Sequence, residues 1–302
     1  MGSSLPNFLI VGAAKSGTSS LHNYINQHTD IFMPDVDHAG RSVKEPQFMV
    51  KDIIQDRLHF GVWSFKEYKE LFNDVQDHKM VGEASVFYLY FYEEAIKNIK
   101  MRLGDKVKII IMLRNPIERA YSAYFHVSRG LKENLSFEEA IGDEESRFQN
   151  DSSITPMIRY KDMGLYYQMV KRYLEEFSDV LIILHEDFRD DTQSVLRRVF
   201  QFLDVDDKQI IDTNIKYNIG GKQWKNRFLK YMFHSNNVIK KFANFITPSF
   251  IKKQLTNKLV NLSKNKVPPM HIKTEQFLKN FYKEDVKNLS KLINRDLHKW
   301  IR

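Results

Sequence analysis

The stretch Pro6 to Gln27, PNFLIVGAAKSGTSSLHNYINQ, constrains the fold of this chain more than any other. Phe8-Leu9-Ile10-Val11 is a short apolar run without helical period, which suits a buried strand. Gly12-Ala13-Ala14-Lys15-Ser16-Gly17 cannot easily extend it, because glycines and small residues favour a tight turn. From Thr18 onward Leu21, Tyr24 and Ile25 recur at helical spacing. Strand, glycine loop and helix together offer backbone N–H groups and a helix N-terminus to a phosphate.

The loop differs from a nucleotide-binding P-loop at one decisive place. The Walker pattern is Gly, four residues, then Gly-Lys-Ser/Thr. Gly12 and Gly17 have that spacing, but Thr18 stands where the lysine belongs and Lys15 sits inside the loop. A glycine turn that merely joins a strand to a helix would look the same, so the motif must be weighed with the rest of the chain.

Further strands are predicted at Met80-Val81-Gly82-Glu83, at Val107 to Leu113 (VKIIIML) and at Val180 to Leu184, with a short strand or turn at Ile31-Phe32-Met33-Pro34. Helices are expected over 64–74, Glu93 to Leu103, from Asn115-Pro116 towards Ser128, Phe137 to Phe148 behind a Ser136 cap, Tyr166 to Phe177, Thr192 to Leu203 and Glu275 to Trp300. Asn115 followed by Pro116 is a helix start: a capping side chain, then proline in the first turn. Strands alternating with helices predict an α/β fold, a central parallel sheet flanked by helices around a P-loop-like nucleotide-binding core. With no internal repeat in its 302 residues, the chain reads as a single domain, 1–302. The absence of cysteine rules out disulfides, thiolate metal sites and a cysteine nucleophile, and fits a cytoplasmic location. No apolar run reaches the ~18–20 residues that span a bilayer, and the N-terminus enters the first strand without a signal-peptide pattern.

In an open parallel sheet, ligands sit at the C-terminal ends of the strands. Loop 12–19, Glu83 at the end of its strand, and Arg114 with Ser122 on the helix it feeds are expected to meet there. A magnesium-dependent kinase would want an aspartate after the VKIIIML strand, and this chain has Leu113-Arg114. An arginine fork suits a phosphate rather than a cation. With the displaced lysine, it points to a nucleotide bearing an extra phosphate and to transfer without a metal.

These residues resemble those of the sulfotransferases that use 3′-phosphoadenosine 5′-phosphosulfate (PAPS). Their 5′-phosphosulfate loop is similar to Ala14-Lys15-Ser16-Gly17-Thr18-Ser19, and their 3′-phosphate motif to Arg114-Asn115-Pro116 with Ser122. Lys44-Glu45-Pro46-Gln47-Phe48 is similar to the Lys-Glu-x-His-Phe segment of the glycan-modifying branch, whose glutamate is the base. Glu83-Ala84-Ser85 resembles a following Glu-Lys-Thr-Pro segment, His185-Glu186-Asp187 a Glu-Asp turn after a late strand, and Asn218 to Arg227 the loop that closes over the nucleotide. Gln47 stands in place of the family's histidine and Ala84 in place of a lysine. The missing membrane anchor and cysteines resemble the soluble bacterial members.

The resemblance implies PAPS as co-substrate, 3′-phosphoadenosine 5′-phosphate (PAP) as product and no required metal. It implies that Lys15, Ser16, Gly17, Thr18 and Ser19 hold the 5′ side, with Lys15 also catalytic, and that Arg114, Ser122, Gly221 and Lys222 hold the 3′ side. Glu45 is the expected base, with Glu83 as the other carboxylate candidate and His59 and His126 as further ones. The expected acceptor is a hydroxyl, and after it an amine, of a small molecule such as a secondary metabolite; a saccharide or glycolipid is the alternative. Tyr166 and Trp224 stand either as adenine or acceptor contacts or as core residues.

Charge adds a second clue. Residues 216–302 hold 20 Lys/Arg against 4 Asp/Glu, whereas the rest holds 26 against 34. Basic helices expected over 225–246 and 248–263 could steer an anionic acceptor or rest peripherally on an anionic surface, or simply be solvated. A nucleic-acid-binding protein would use such a basic third, but no recognition motif accompanies it, so no nucleic-acid partner is expected.

Overall fold

A computed structural model describes residues 5–35, 43–129, 133–215, 222–224 and 264–302, with the backbone alone at 222–224, 264 and 265. Its centre is a five-stranded sheet in the order β2-β3-β1-β4-β5. The strands are β1 (Phe8–Gly12), β2 (Ile31–Phe32), β3 (Met80–Ala84), β4 (Lys108–Leu113) and β5 (Val180–Leu184), and every neighbouring pair is parallel. Phe8 pairs with Gly82 on one side and Lys108 on the other, so β1 is the innermost strand. Side chains alternate between two apolar layers. Leu9, Val11, Val81, Ile109, Ile111 and Leu113 face one, while Phe8, Ile10, Met80, Ile110, Met112 and Ile183 face the other. Burial on both faces is why these strands read as unbroken apolar runs.

Between β1 and β3 lie α1 (Thr18–Ile25), α2 (Lys51–Ile54) and α3 (Phe65–Glu70). Then come α4 (Phe87–Tyr90) and α5 (Tyr92–Leu103) before β4, followed by α6 (Pro116–Arg129), α7 (Phe137–Asn150) and α8 (Tyr166–Glu176) before β5. After β5 the chain enters α9 (His185–Asp190) and α10 (Thr192–Phe202). Strands β6 (Lys222–Trp224) and β7 (Lys264–Lys266) form a separate antiparallel pair, and α11 (Ile272–Leu292) closes the chain.

Local chemistry sets these boundaries. Ser64 and Ser136 each form a capping box, with Glu67 and Glu139, at the starts of α3 and α7. Asn115 Oδ1 accepts from the Ile117 N–H at 2.9 Å, so the Asn-Pro start of α6 is as expected. The last helix begins earlier than expected, at Ile272, where the His271 ring accepts from the Lys273 N–H. Four short pieces had no sequence signal: α2, α4, α9 and the β6–β7 pair. Each is too short to show a period. The basic helices expected over 225–246 and 248–263 lie outside the described residues.

Alpha-11 is anchored by polar contacts as well as by its apolar face. Asp285 accepts from the N–H groups of Tyr166 at 2.9 Å and Tyr167 at 3.1 Å, which places a carboxylate on the N-terminus of α8. Beyond α11, Trp300 is buried, and its indole N–H donates to Glu186 Oε1 at 2.8 Å. The Arg295 guanidinium grips both oxygens of Asp187 at 2.8 and 3.0 Å. The Glu-Asp pair after β5 therefore clamps the C-terminal segment to the sheet edge.

Candidate functional site: an anion cradle at the sheet edge

The loop after β1 is shaped by residues that tolerate left-handed backbone. Gly17 has φ of 100° and Lys15 of 70°. Gly12 has φ of 149°, and a Cβ there would lie 2.7 Å from Leu89 Cβ. The Ala13 N–H donates to Met112 O at 2.6 Å and the Ser16 N–H to Ala13 O at 3.2 Å, which folds the loop over the end of β4. Gly17, the residue before α1, has no side chain to cap the helix, and the first turn holds no acidic residue. The N–H groups of that turn have no intrahelical partners and favour an anion. Thr18 is buried and Ser19 half-buried beside them.

Arg114 leaves the end of β4 directly beside this loop. Its Nε and Nη2 hold Glu118 Oε2 at 3.1 and 2.8 Å, and its Nη1 reaches Lys15 O at 3.4 Å. The guanidinium thus braces the loop from the neighbouring strand. Ser122 lies two turns along α6, half-buried. The Lys15 ammonium is pushed down to about 8, first by burial and then by Arg129, Arg114 and Lys44, while the Glu45 carboxylate pulls it back up. A lysine depressed by three other cations marks a pocket with surplus positive charge. An anion would relieve it.

Glu45 faces that cluster. Lys44 Nζ donates to its Oε1 at 2.6 Å and Gln47 Nε2 to its Oε2 at 3.1 Å, with 23% of the side chain exposed. Gln47 is itself fully buried in a left-handed conformation, φ 56°. Its backbone N–H donates to Ser85 Oγ at 3.0 Å, and Ser85 Oγ donates to Glu83 Oε2 at 3.1 Å. Gln47 is therefore a strut between the exposed carboxylate and the buried one, a role that its departure from the glycan-branch histidine did not reveal. Glu83 is fully buried and accepts from Tyr68 OH at 3.2 Å. Burial raises it to about 7, against the hydrogen bonds of Tyr88, Ser85 and Tyr68.

Lys15, Ser16, Gly17, Thr18, Ser19, Glu45 and Arg114 thus gather at the C-terminal edge of β1 and β4, with Glu83 one layer deeper and Ser122 further along α6. His126 projects from α6 into the same field. Its surroundings, with Lys15 and Arg129, push it down to about 4, so it is neutral at neutral pH. Gly221 lies outside the described residues. Lys222 is described by its backbone alone, in β6, which lies against α6. Tyr166 is fully buried, in reach of Ser16 and Arg119. Of the other cations of the site, Lys44 stands in the Lys-Glu-x-His-Phe-like segment without an assigned role, and Arg129 had no sequence signal because it belongs to no recognisable pattern.

The sequence model of the family described as "Sulfotransferase domain" matches residues 5–290. Among solved structures, a sulfotransferase from Alicyclobacillus acidocaldarius is similar over 99% of this chain and 100% of its own, with a TM-score of 0.72 and 32% identity. Among curated proteins, the human bifunctional heparan sulfate N-deacetylase/N-sulfotransferase 3 is 25% identical over 313 residues, covering 99% of this chain and 31% of the relative. The membrane-associated sulfotransferase kil1 of Dictyostelium discoideum is 28% identical over 148 residues, 46% of this chain and 28% of the relative. Mouse carbohydrate sulfotransferase 15 is 24% identical over 259 residues, 67% of this chain and 44% of the relative. The chain spans less than half the length of these curated relatives.

Proposed function

The chain belongs to the sulfotransferase domain family, and from that premise we propose that it transfers the sulfuryl group of PAPS to an acceptor hydroxyl. The observation that carries the proposal is the cationic cradle itself. An uncapped helix N-terminus, Lys15 depressed by burial and then by neighbouring cations, and Arg114 braced against the loop converge on one point, with a carboxylate beside them. The donor supplies a sulfuryl group on a phosphate leaving group. Loop N–H groups, Thr18 and Ser19 would hold its 5′ phosphosulfate. Arg114 and Ser122 suit the 3′-phosphate, and Gly221 and Lys222 would close over it.

Glu45 takes the proton of the acceptor hydroxyl as the new oxygen–sulfur bond forms. Lys15 neutralises the charge left on the phosphate oxygen as the old sulfur–oxygen bond breaks and PAP departs with the electron pair. Glu45 is favoured over Glu83 because its charge is the carboxylate charge felt by Lys15. Glu83, one layer deeper, acts by holding Ser85 and through it the Gln47 strut.

The acceptor we propose is a hydroxyl of a small molecule. A saccharide is the second reading, and the relatives described as carbohydrate and heparan sulfate enzymes favour it. Calorimetry with PAP in EDTA, beside ADP and ATP with magnesium, tests the donor site. PAP is expected to bind without metal, and Arg114→Ala to weaken it roughly tenfold or more, as removal of a charged phosphate partner does. Preference for ATP with magnesium would refute the donor assignment. A panel of phenolic, alicyclic and saccharide alcohols with labelled PAPS then separates the two acceptor classes.

A further inference from the structure

Below the cradle, three polar groups from three elements are fully buried, and the arginine among them has two nitrogens without a hydrogen-bond partner. The groups are Ser16 Oγ in the loop, Tyr166 OH at the start of α8, and Arg119 in α6, whose Nε and Nη1 are the unpaired nitrogens. The remaining Arg119 nitrogen, Nη2, donates to the Tyr160 carbonyl. Arg119 forms no ion pair among the described residues. Tyr282 OH, its other aromatic neighbour, is already committed to Lys161 O at 2.8 Å.

The three groups share one space. Burial raises the Tyr166 phenol to about 12, while the charge of Arg119 and hydrogen bonds with Ser16 and the backbone of Arg114 pull it down. Tyr166 therefore stands within electrostatic reach of both the arginine beneath and the serine above. Buried polar atoms are almost always paired, and a buried charge without a counter-charge is costly. A buried guanidinium with two unpaired nitrogens, beside a tyrosine that reaches the loop serine under a cradle for anions, calls for a cause.

The direction of any chain through them is fixed by chemistry. Arginine only donates, so Arg119 can engage Tyr166 only through the phenol oxygen. That leaves the Tyr166 proton for Ser16 Oγ, and the Ser16 proton for whatever oxygen sits in the loop. We propose that Arg119 is a positioning residue for the bound anion, acting through Tyr166 and Ser16. Its buried charge is under-compensated in the free protein, and the 5′-phosphosulfate supplies the missing counter-charge. The proposal rests on the donor assignment above and extends it from residues that touch the anion to one that does not.

The test pairs calorimetry with melting of the free protein, for wild type, Arg119→Met, Arg119→Lys, Tyr166→Phe and the Arg119→Met/Tyr166→Phe double variant. Probes are PAP and inorganic pyrophosphate. Arg119→Met is expected to lower PAP affinity roughly tenfold while the free protein melts no lower, because a buried unpaired charge has been removed. Arg119→Lys should recover part of the affinity. Tyr166→Phe should weaken binding less, and its loss should not add to that of Arg119→Met, since both interrupt one chain.

A merely structural arginine gives the opposite pattern, a lower melting temperature with wild-type affinity in the folded fraction, and that result overturns the proposal. If Arg119→Met does not fold, wild-type affinity in Tyr166→Phe overturns it instead. If wild type binds no PAP, the donor assignment fails by itself. Pyrophosphate then still decides the role of Arg119, which falls if Arg119→Met or Tyr166→Phe binds it as wild type does.

Discussion

Raising the pH from 7 to 9 is expected to weaken PAP binding about tenfold, because Lys15 in the free protein titrates near 8. About nine-tenths of the molecules carry the ammonium at pH 7 and about one-tenth at pH 9, and the protonated form is the one that attracts the anion. The cause is the crowd of Arg129, Arg114 and Lys44 around a buried ammonium, only partly offset by Glu45. A dianion entering this group reverses the crowding, so Lys15 should recover its proton on binding. Calorimetry in buffers of different ionisation enthalpy would then show uptake of nearly one proton at pH 9 and little at pH 7.

Other groups contribute little over this range. The phosphate of the ligand is ionised above its second pKa of about 6, His126 titrates near 4, and arginine does not titrate. Glu83, near 7, adds at most an early slope that Glu83→Gln removes. Lys15→Met should bind weakly with a flat profile. Flat affinity in wild type, without proton uptake, would refute the electrostatic account of the cradle.

Two further outcomes follow from the carboxylates. Gln47→Ala removes the amide that holds Glu45 Oε2; kcat should fall roughly tenfold, a part of what general-base catalysis contributes, while PAP affinity is unchanged. Steady-state kinetics beside calorimetry checks it, and an unchanged kcat would remove Gln47 from the machinery. Glu83 has a folded-state pKa near 7, above the ordinary 4.5, so the folded protein retains a proton that the unfolded chain releases. Its stabilising contribution is complete below about 4.5 and is lost as the pH rises through 7. Melting temperatures at pH 5 and 8 should therefore differ less in Glu83→Gln than in wild type; an equal difference would mean that Glu83 is ionised throughout.

Much of the frame was legible because its elements are local and strongly patterned. Phe8 to Val11 and Val107 to Leu113 are apolar runs buried on both faces, Val180 to Leu184 is one half-buried at its start and buried at its end, and the observed strands fall on them. The spacing of Gly12 and Gly17, and Arg114 before Asn115-Pro116, identified the cradle because turn geometry and helix capping depend on residue type within a few positions. The element boundaries moved where a tertiary partner decided them. Alpha-9 exists as a short helix whose Glu186 and Asp187 hold Trp300 and Arg295, more than a hundred residues away.

Only the folded chain could reveal how the charges combine. No spacing relates Lys15 to Arg129 or Lys44, yet their convergence depresses Lys15. Gln47 looked like a departure from a pattern, and in three dimensions it is the strut between Glu45 and Ser85. Arg119, placed on the helix after Asn115-Pro116 with no role of its own, is fully buried and forms no ion pair among the described residues. Sequence determined which segments become strands, turns and caps, since those choices are made over a few residues. Tertiary structure decided which charges share one low-dielectric space, because Coulomb interactions depend on distance and burial and not on order along the chain.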